Sequence, residues 1–184
     1  MPDRGMVISN SVIELDNLII STLRESTVSS LVRTRTVSGH RVATNRSFQR
    51  EGEISAHILS IVNSVTFLRL NRPSWIARKD EPTVRDPKIT EKILIGCGAS
   101  NLPSLQNALA LNLSLFRDIP PLRNFYAHRN EDTWRKVKDK ARAMGILATR
   151  HTDELVQAAI IGRPASIFED WLGDLEIFFE ELMK

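Results

Sequence analysis

Cysteine is almost missing from this chain. Cys97 stands alone, so no disulfide can close within the chain, and a reducing compartment suits it. Histidine is scarce as well. The four histidines are scattered, with no metal-ligand spacing among them, so no metal and no cofactor is expected. No uninterrupted apolar run approaches the roughly 18 residues of a membrane span. The longest, such as ILIGCGA from Ile93 to Ala99, are core-sized. The opening MPDRGMVISN lacks the apolar stretch of a secretory signal. Repeats and low-complexity tracts are absent too. Together these absences point to a cytoplasmic globular protein with no membrane contact.

What is present suits one domain spanning residues 1–184, long enough to bury a real core. Apolar residues make up 42% and charged residues 26%, mixed along the chain, which excludes a wholly disordered protein. The net charge is only +3, but it is unevenly spread. Residues 101–150 carry nine basic and four acidic side chains, whereas residues 151–184 carry two basic and eight acidic. A local basic field attracts phosphates. The plainer alternative is that Lys136, Lys138, Lys140 and Arg142 form a solvated helix face.

Helical periodicity dominates, so the fold is expected to be all-α, a bundle of four to five core helices with short peripheral ones. The first helix is expected from Val12 to Val32, opened by a capping box of Ser11 and Glu14. Residues 33–50 read as a loop that carries Arg33, Arg35, Arg41, Arg46 and Arg50 and no acid. A second helix is expected over Glu53 to Leu70, with Ile54, Ile58, Ile61, Val65 and Leu68 forming one apolar stripe. Residues 71–88 form a connector broken by Pro73, Pro82 and Pro87. A short helix follows from Ile89 to Gly96. Residues 103–117 fit both a helix and a strand, because Leu109, Leu111, Leu113 and Leu115 alternate; helix is preferred among helical neighbours.

The pair Pro120–Pro121 marks the start of a new helix over Leu122 to Arg129, since proline is tolerated only in a first turn. Helix resumes at Asp132 as N-cap, runs to about Met144 and stops at Gly145. Thr152 to Ile161 makes another short helix. The last begins with a Ser166–Glu169 capping box. Its stripe of Phe168, Trp171, Leu175, Phe178 and Leu182 suits a core, or else a dimer seam.

The stretch LRNFYAHRN, from Leu122 to Asn130, is the densest chemistry in the chain. An arginine followed by four to six residues and a histidine is a weak pattern, and about one match is expected by chance. Arg33 or Arg35 with His40, and Arg50 with His57, match it too. Only Arg123–His128 has suitable company. Asn124 and His128 are four apart and share a helical face. Arg123 is placed in a first turn, where free N–H groups favour an anion. Between Arg50 and His57, by contrast, Glu51 and Glu53 would repel a phosphate. Guanidinium grips phosphate bidentately, and histidine moves protons near neutral pH. Arg123, Asn124 and His128 are thus sufficient parts for RNA cleavage without a metal.

LRNFYAHRN resembles the signature of the HEPN superfamily, in which Arg, usually followed at once by a polar residue, precedes His by four to six residues. Ala127 matches the small residue common before that His. The resemblance implies an all-α homodimer whose two motifs meet in one composite, metal-independent ribonuclease site. Arg123, Asn124 and His128 would be catalytic there, with Arg129, Arg135 and Lys136 on the RNA backbone. Trp134 could stack a base, or belong to the core. The resemblance also implies a toxin with an antitoxin protein as partner, or an antiviral effector. Some family toxins carry a tyrosine two residues after the His, modified by a partner enzyme. Asn130 stands there in this chain, and Tyr126 does not replace it. The alternatives are a non-catalytic nucleotide- or protein-binding module and, less suited for lack of a helix-turn-helix signature, a DNA-binding regulator.

Overall fold

The structure, a computed structural model, describes residues 4–146, 152–160 and 162–184. Among these residues it is all-α, with nine helices and no strand. They are α1 (Arg4–Leu31), α2 (Glu51–Val62), α3 (Ser64–Arg69), α4 (Pro87–Cys97), α5 (Leu102–Ala110), α6 (Leu115–His128), α7 (Glu131–Ala143), α8 (Thr152–Gln157) and α9 (Ile167–Leu182). A single 3₁₀ turn, Arg78–Asp80, interrupts the connector between α3 and α4. Internal contacts group the chain into two units. One comprises residues 1–18 and 113–177, the other residues 19–112 and 178–184.

The first unit holds α6, α7 and α8 with the opening of α1 and most of α9. Helix α6 decides where the motif lies. It was expected to start after Pro120–Pro121, yet both prolines sit inside it, at its sixth and seventh residues. Each removes one backbone hydrogen bond and crowds the preceding turn, at a cost of about 3 kcal/mol in a helix interior. Burial offsets that cost. Leu115, Ile119, Leu122 and Tyr126 recur at helical spacing and are all buried, each large apolar side chain contributing about 1.5–3 kcal/mol. The helix ends at His128, with Arg129 left-handed at φ 43°. Asn130 then caps α7. Its side chain accepts from Thr133 N at 2.9 Å, and Thr133 Oγ1 completes a capping box. The cap is therefore Asn130, not Asp132, and Asp132 lies in the first turn. The Ser166–Glu169 box at the start of α9 is present, with Glu169 Oε2 accepting from Ser166 N at 2.7 Å. Ile161, the expected end of α8, lies outside the described residues, and α8 already stops at Gln157.

The second unit is built on the remainder of α1 with α2 to α5. Arg24 of α1 donates to Glu81 at 2.9 Å and to Glu51 at 2.6 Å, and Glu81 also accepts from Ser55. The expected long second helix is two. Asn63 leaves helical geometry at φ −141°, ends α2, and caps α3 by accepting from Thr66 N at 3.0 Å. The apolar stripe ends there as well, for Val65 and Leu68 are exposed. Residues 103–117 are helical in two pieces, separated by a left-handed Asn112. Helix α4 opens on Asp86 and Pro87 and closes on Gly98, left-handed at φ 58°, where glycine carries no Cβ penalty. Residues 33–50 form the expected loop, with one isolated bridge between Arg35 and Arg41.

Helix α1 begins two turns earlier than expected, so Ser11 is interior and donates to Val7 O at 2.9 Å instead of capping. At this length it is long and apolar enough to cross a bilayer, with mean hydropathy 1.3 over its apolar window. Counting uninterrupted apolar residues missed this because Glu14 and Asp16 break the run. Length and composition fit a core helix equally, and Val12, Leu15, Ile19 and Leu23 are buried along one face. The α9 stripe resolves toward the core: Trp171, Leu175, Phe178 and Leu182 are all buried.

Two substitutions in α6 should separate burial from backbone. Leu122→Ala should lower the unfolding free energy by about 2–5 kcal/mol. Pro121→Ala restores a hydrogen bond to Arg117 O and should leave stability unchanged or raise it. Urea denaturation of both variants checks this, and a loss of more than about 1 kcal/mol in Pro121→Ala would contradict it.

Candidate functional site

The motif occupies the last two turns of α6, not its first. The start of the helix, at Leu115, is about two turns away from Arg123, and the N–H groups of Arg117 and Asp118 there already donate to Ser114 O. The motif's end of α6 carries the partial negative charge of free carbonyls. Anion binding here therefore depends on side chains, and the helix dipole opposes it. The neighbouring start of α7 offers little help, since Asn130 and Thr133 already satisfy each other there.

The three proposed catalytic side chains do not face one way. Asn124 and His128 are both exposed and lie one turn apart on the same face. Neither makes a hydrogen bond or an ion pair with a described residue. Arg123 points elsewhere. It is partly buried, and its Nε lies 3.5 Å from Asp16 Oδ2 on α1, a carboxylate only 1% exposed. The Nε has no hydrogen bond, so this is a Coulombic contact without good hydrogen-bond geometry. Arg123 and His128 are five residues apart, about 140° round the helix. One chain thus presents the amide and the imidazole together and holds the guanidinium to one side.

Sequence reasoning missed Asp16, although α1 signalled it. Val12, Asp16, Ile19 and Leu23 fall at helical spacing, so a carboxylate lies on the buried face. Such a group requires a cationic or hydrogen-bonding partner.

Arg129 lies beside a cleft of about 480 Å³ lined by Ser9, Phe125, Tyr126, Thr152 and Asp153, among others. Its Nη2 is 3.4 Å from Ser9 Oγ. Tyr126 donates its hydroxyl to Asp153 Oδ1 at 3.1 Å. Burial pushes the phenol above its ordinary range, opposed by a hydrogen bond from Thr152, and Asp153 pushes it the same way as burial. Tyr126 is thus a neutral, buried anchor. Arg123, Asn124 and His128 do not line this cleft.

On α7, Arg135 pairs with Glu131 at 2.6 Å and Lys136 with Asp132 at 2.7 Å, both one turn apart and exposed. Arg142 pairs with Asp139, and Lys140 with the buried Asp118. The basic face is therefore laced with acids of its own unit. Exposed pairs of this kind are weak, so Arg135 and Lys136 can still exchange partners with a phosphate. Trp134 is half-buried, 6.1 Å from the Phe125 ring, and Lys138 Nζ sits 4.5 Å above it. Two of its contacts are already filled from within the chain.

The competing match, Arg50–His57, has a different environment. His57 is buried with both ring nitrogens engaged: Arg46 Nη1 lies 3.0 Å from Nδ1, and Cys97 Sγ 2.9 Å from Nε2. Burial, reinforced by Arg46, lowers its pKa. Arg46 can only donate, so Nδ1 accepts and Nε2 carries the proton, with Cys97 Sγ and the Ile93 backbone as its neighbours. A histidine so occupied has no free nitrogen for proton transfer. His128 has both.

Truncating Arg123 removes a cation 3.5 Å from the buried Asp16. Arg123→Ala should lower the unfolding free energy by about 1–3 kcal/mol, whereas Arg135→Ala should leave it unchanged. Thermal melts of the two variants check the contrast, and equal melts would place Arg123 outside the supporting structure. No family model, curated protein or solved structure matches this chain.

Proposed function

We propose that this protein is a metal-independent endoribonuclease of the HEPN type. It works as a homodimer in the cytoplasm, as a prokaryotic toxin held by an antitoxin protein or as an antiviral effector. The reading rests on the motif of Arg123, Asn124 and His128. The observation that carries it is the open face of Asn124 and His128, two polar side chains with no described partner one turn apart at a helix end. Unpartnered imidazole in reach of solvent is what proton transfer to a bound substrate requires.

The chemistry needs a base, an acid and charge stabilisation at phosphorus. One His128 takes the proton of a 2′-hydroxyl as that oxygen bonds to the adjacent phosphorus. The bond from phosphorus to the 5′-oxygen breaks, and that oxygen takes a proton from a second histidine. The products are a 2′,3′-cyclic phosphate and a 5′-hydroxyl. A single motif has one histidine, so the second comes from the other copy. The same pairing answers the divergence of Arg123 and His128 within one chain, because an arginine from the partner can face the histidine of the first. Asn124 orients the phosphate, Arg123 balances charge on its oxygens, and Arg129, Arg135 and Lys136 hold the flanking backbone.

One observation favours a second reading. Arg123 already faces Asp16, as a structural arginine does. A non-catalytic module would keep that contact and use Asn124 and His128 to hold a nucleotide or a partner protein.

Purified protein incubated with single-stranded RNA in excess chelator should cleave it. His128→Ala should slow cleavage by about 10²–10⁴-fold without changing the melting temperature, since His128 is exposed and unbonded. Cleavage that survives the substitution, or that requires an added divalent metal, refutes the assignment, and RNA binding without turnover supports the second reading. Sedimentation should show a particle of twice the 20.8 kDa chain mass. A monomer that still cleaves rules out the composite site.

A further inference from the structure

Among the described residues, positive charge without a carboxylate partner also gathers away from α7. In the second unit, Arg46, Arg50 and Arg72 line one cleft of about 730 Å³. All three are exposed, and no described carboxylate pairs with any of them. Their acidic neighbours are engaged elsewhere. Glu51 is bonded to Arg24 at 2.6 Å, and Glu53, which lines the cleft, accepts from Gln49 N at 2.8 Å. The repulsion that Glu51 would exert on an anion is thus largely cancelled by a cation of its own, whereas Glu53 keeps its charge at the cleft and is outnumbered by the three arginines there.

The guanidinium groups are positioned as well as free. Arg46 is anchored on His57, which is in turn anchored on Cys97, so two buried residues fix an exposed cation at the cleft wall. Arg72 has left-handed backbone, φ 53°, locked by its N–H to Phe67 O at 2.9 Å. A non-glycine residue held in that region marks a position set by its surroundings.

The cleft also has flat apolar walls. Trp75 is 54% exposed, and its indole lies against the backbone of α2. A Cβ at Gly52 would stand 1.9 Å from Trp75 Nε1, so glycine is what lets the ring lie there. Phe48 lines the same cleft, with its ring centroid 5.6 Å from that of His57. An exposed tryptophan beside unpaired arginines is the combination that takes a flat ring and a phosphate together. The volume falls in the range of small-ligand sites.

We propose that this cleft binds a nucleoside phosphate, the phosphate held by Arg46, Arg50 and Arg72 and the base stacked on Trp75 and Phe48. The site uses no residue of the α6 motif and does not rest on the ribonuclease reading. The ligand is either a free mononucleotide or the phosphorylated end of a strand, which share this chemistry.

Titration calorimetry of the full chain tests it with adenosine monophosphate, adenosine, inorganic phosphate and a 5′-phosphorylated adenosine trinucleotide. The monophosphate or the trinucleotide should bind at least about tenfold more tightly than adenosine or phosphate alone. The tighter of the two identifies the source. The double variant Arg46→Gln/Arg72→Gln should weaken binding by at least about tenfold. Trp75→Leu should weaken it by about tenfold and Trp75→Phe by less. Both arginines and Trp75 are exposed, so circular dichroism should show these variants folded. The proposal is overturned if neither phosphorylated compound binds, if phosphate alone binds as well as they do, or if folded variants bind like the parent.

Discussion

The buried row Leu115, Ile119, Leu122 and Tyr126 is the constraint on which the rest of the first unit depends. It keeps α6 helical through two consecutive prolines that local propensity would place at a helix start. Once the helix extends back to Leu115, every later position changes meaning. LRNFYAHRN moves from a helix opening to a helix close. The dipole at the motif reverses sign. Arg129 becomes the left-handed residue that ends the helix, and Asn130 becomes the cap of the next. The corner between α6 and α7 is thereby made of the motif's own last residues, and it leaves Asn124 and His128 uncovered.

The same row explains the division of labour inside the motif. With Leu122 and Tyr126 turned to the core, Arg123 lies at the edge of the buried face, close enough to reach Asp16. Asn124 and His128 fall on the opposite, open side. A buried carboxylate without a cation is costly, so Asp16 and Arg123 constrain each other. An arginine that serves structure in this way can still act in catalysis, but only through the nitrogens that Asp16 does not face.

How much of this was legible in the sequence depends on whether local chemistry or tertiary contact decided each point. The all-α class, the loop at residues 33–50 and the Ser166–Glu169 box were readable, because their signals are contained within a few residues; α4 is longer than the expected Ile89–Gly96 at both ends, because Pro87, read as a break in the connector, is its first residue. The proline pair misled because its penalty is local while the burial that overrides it is not. Asn63 went unread as a break because the apolar spacing on either side of it continues in phase. Asp132 was preferred over Asn130 as a cap although both are good ones, and the choice turned on where α6 ended. Windowed charge found the excess on α7 but could not show that Arg135, Lys136, Lys140 and Arg142 each face an acid. It passed over the loop whose arginines, together with Arg72, face no described acid.

His57 and His128 show why spacing is a poor guide to a catalytic histidine. Both follow an arginine at an allowed interval. His57 is enclosed, and Arg46 and Cys97 occupy its two nitrogens, so its work is to hold Arg46 in place. His128 is held by no described residue and ends a helix in the open. A proton-transfer group needs a vacant lone pair, a path to substrate and a partner for the second proton. The first two are properties of one chain, and His128 meets them. The third is not, because α6 offers one imidazole per copy and turns its arginine away from it. On the ribonuclease reading the chemistry is therefore complete only when two copies meet, with two α6 ends close enough for both histidines to reach one phosphate.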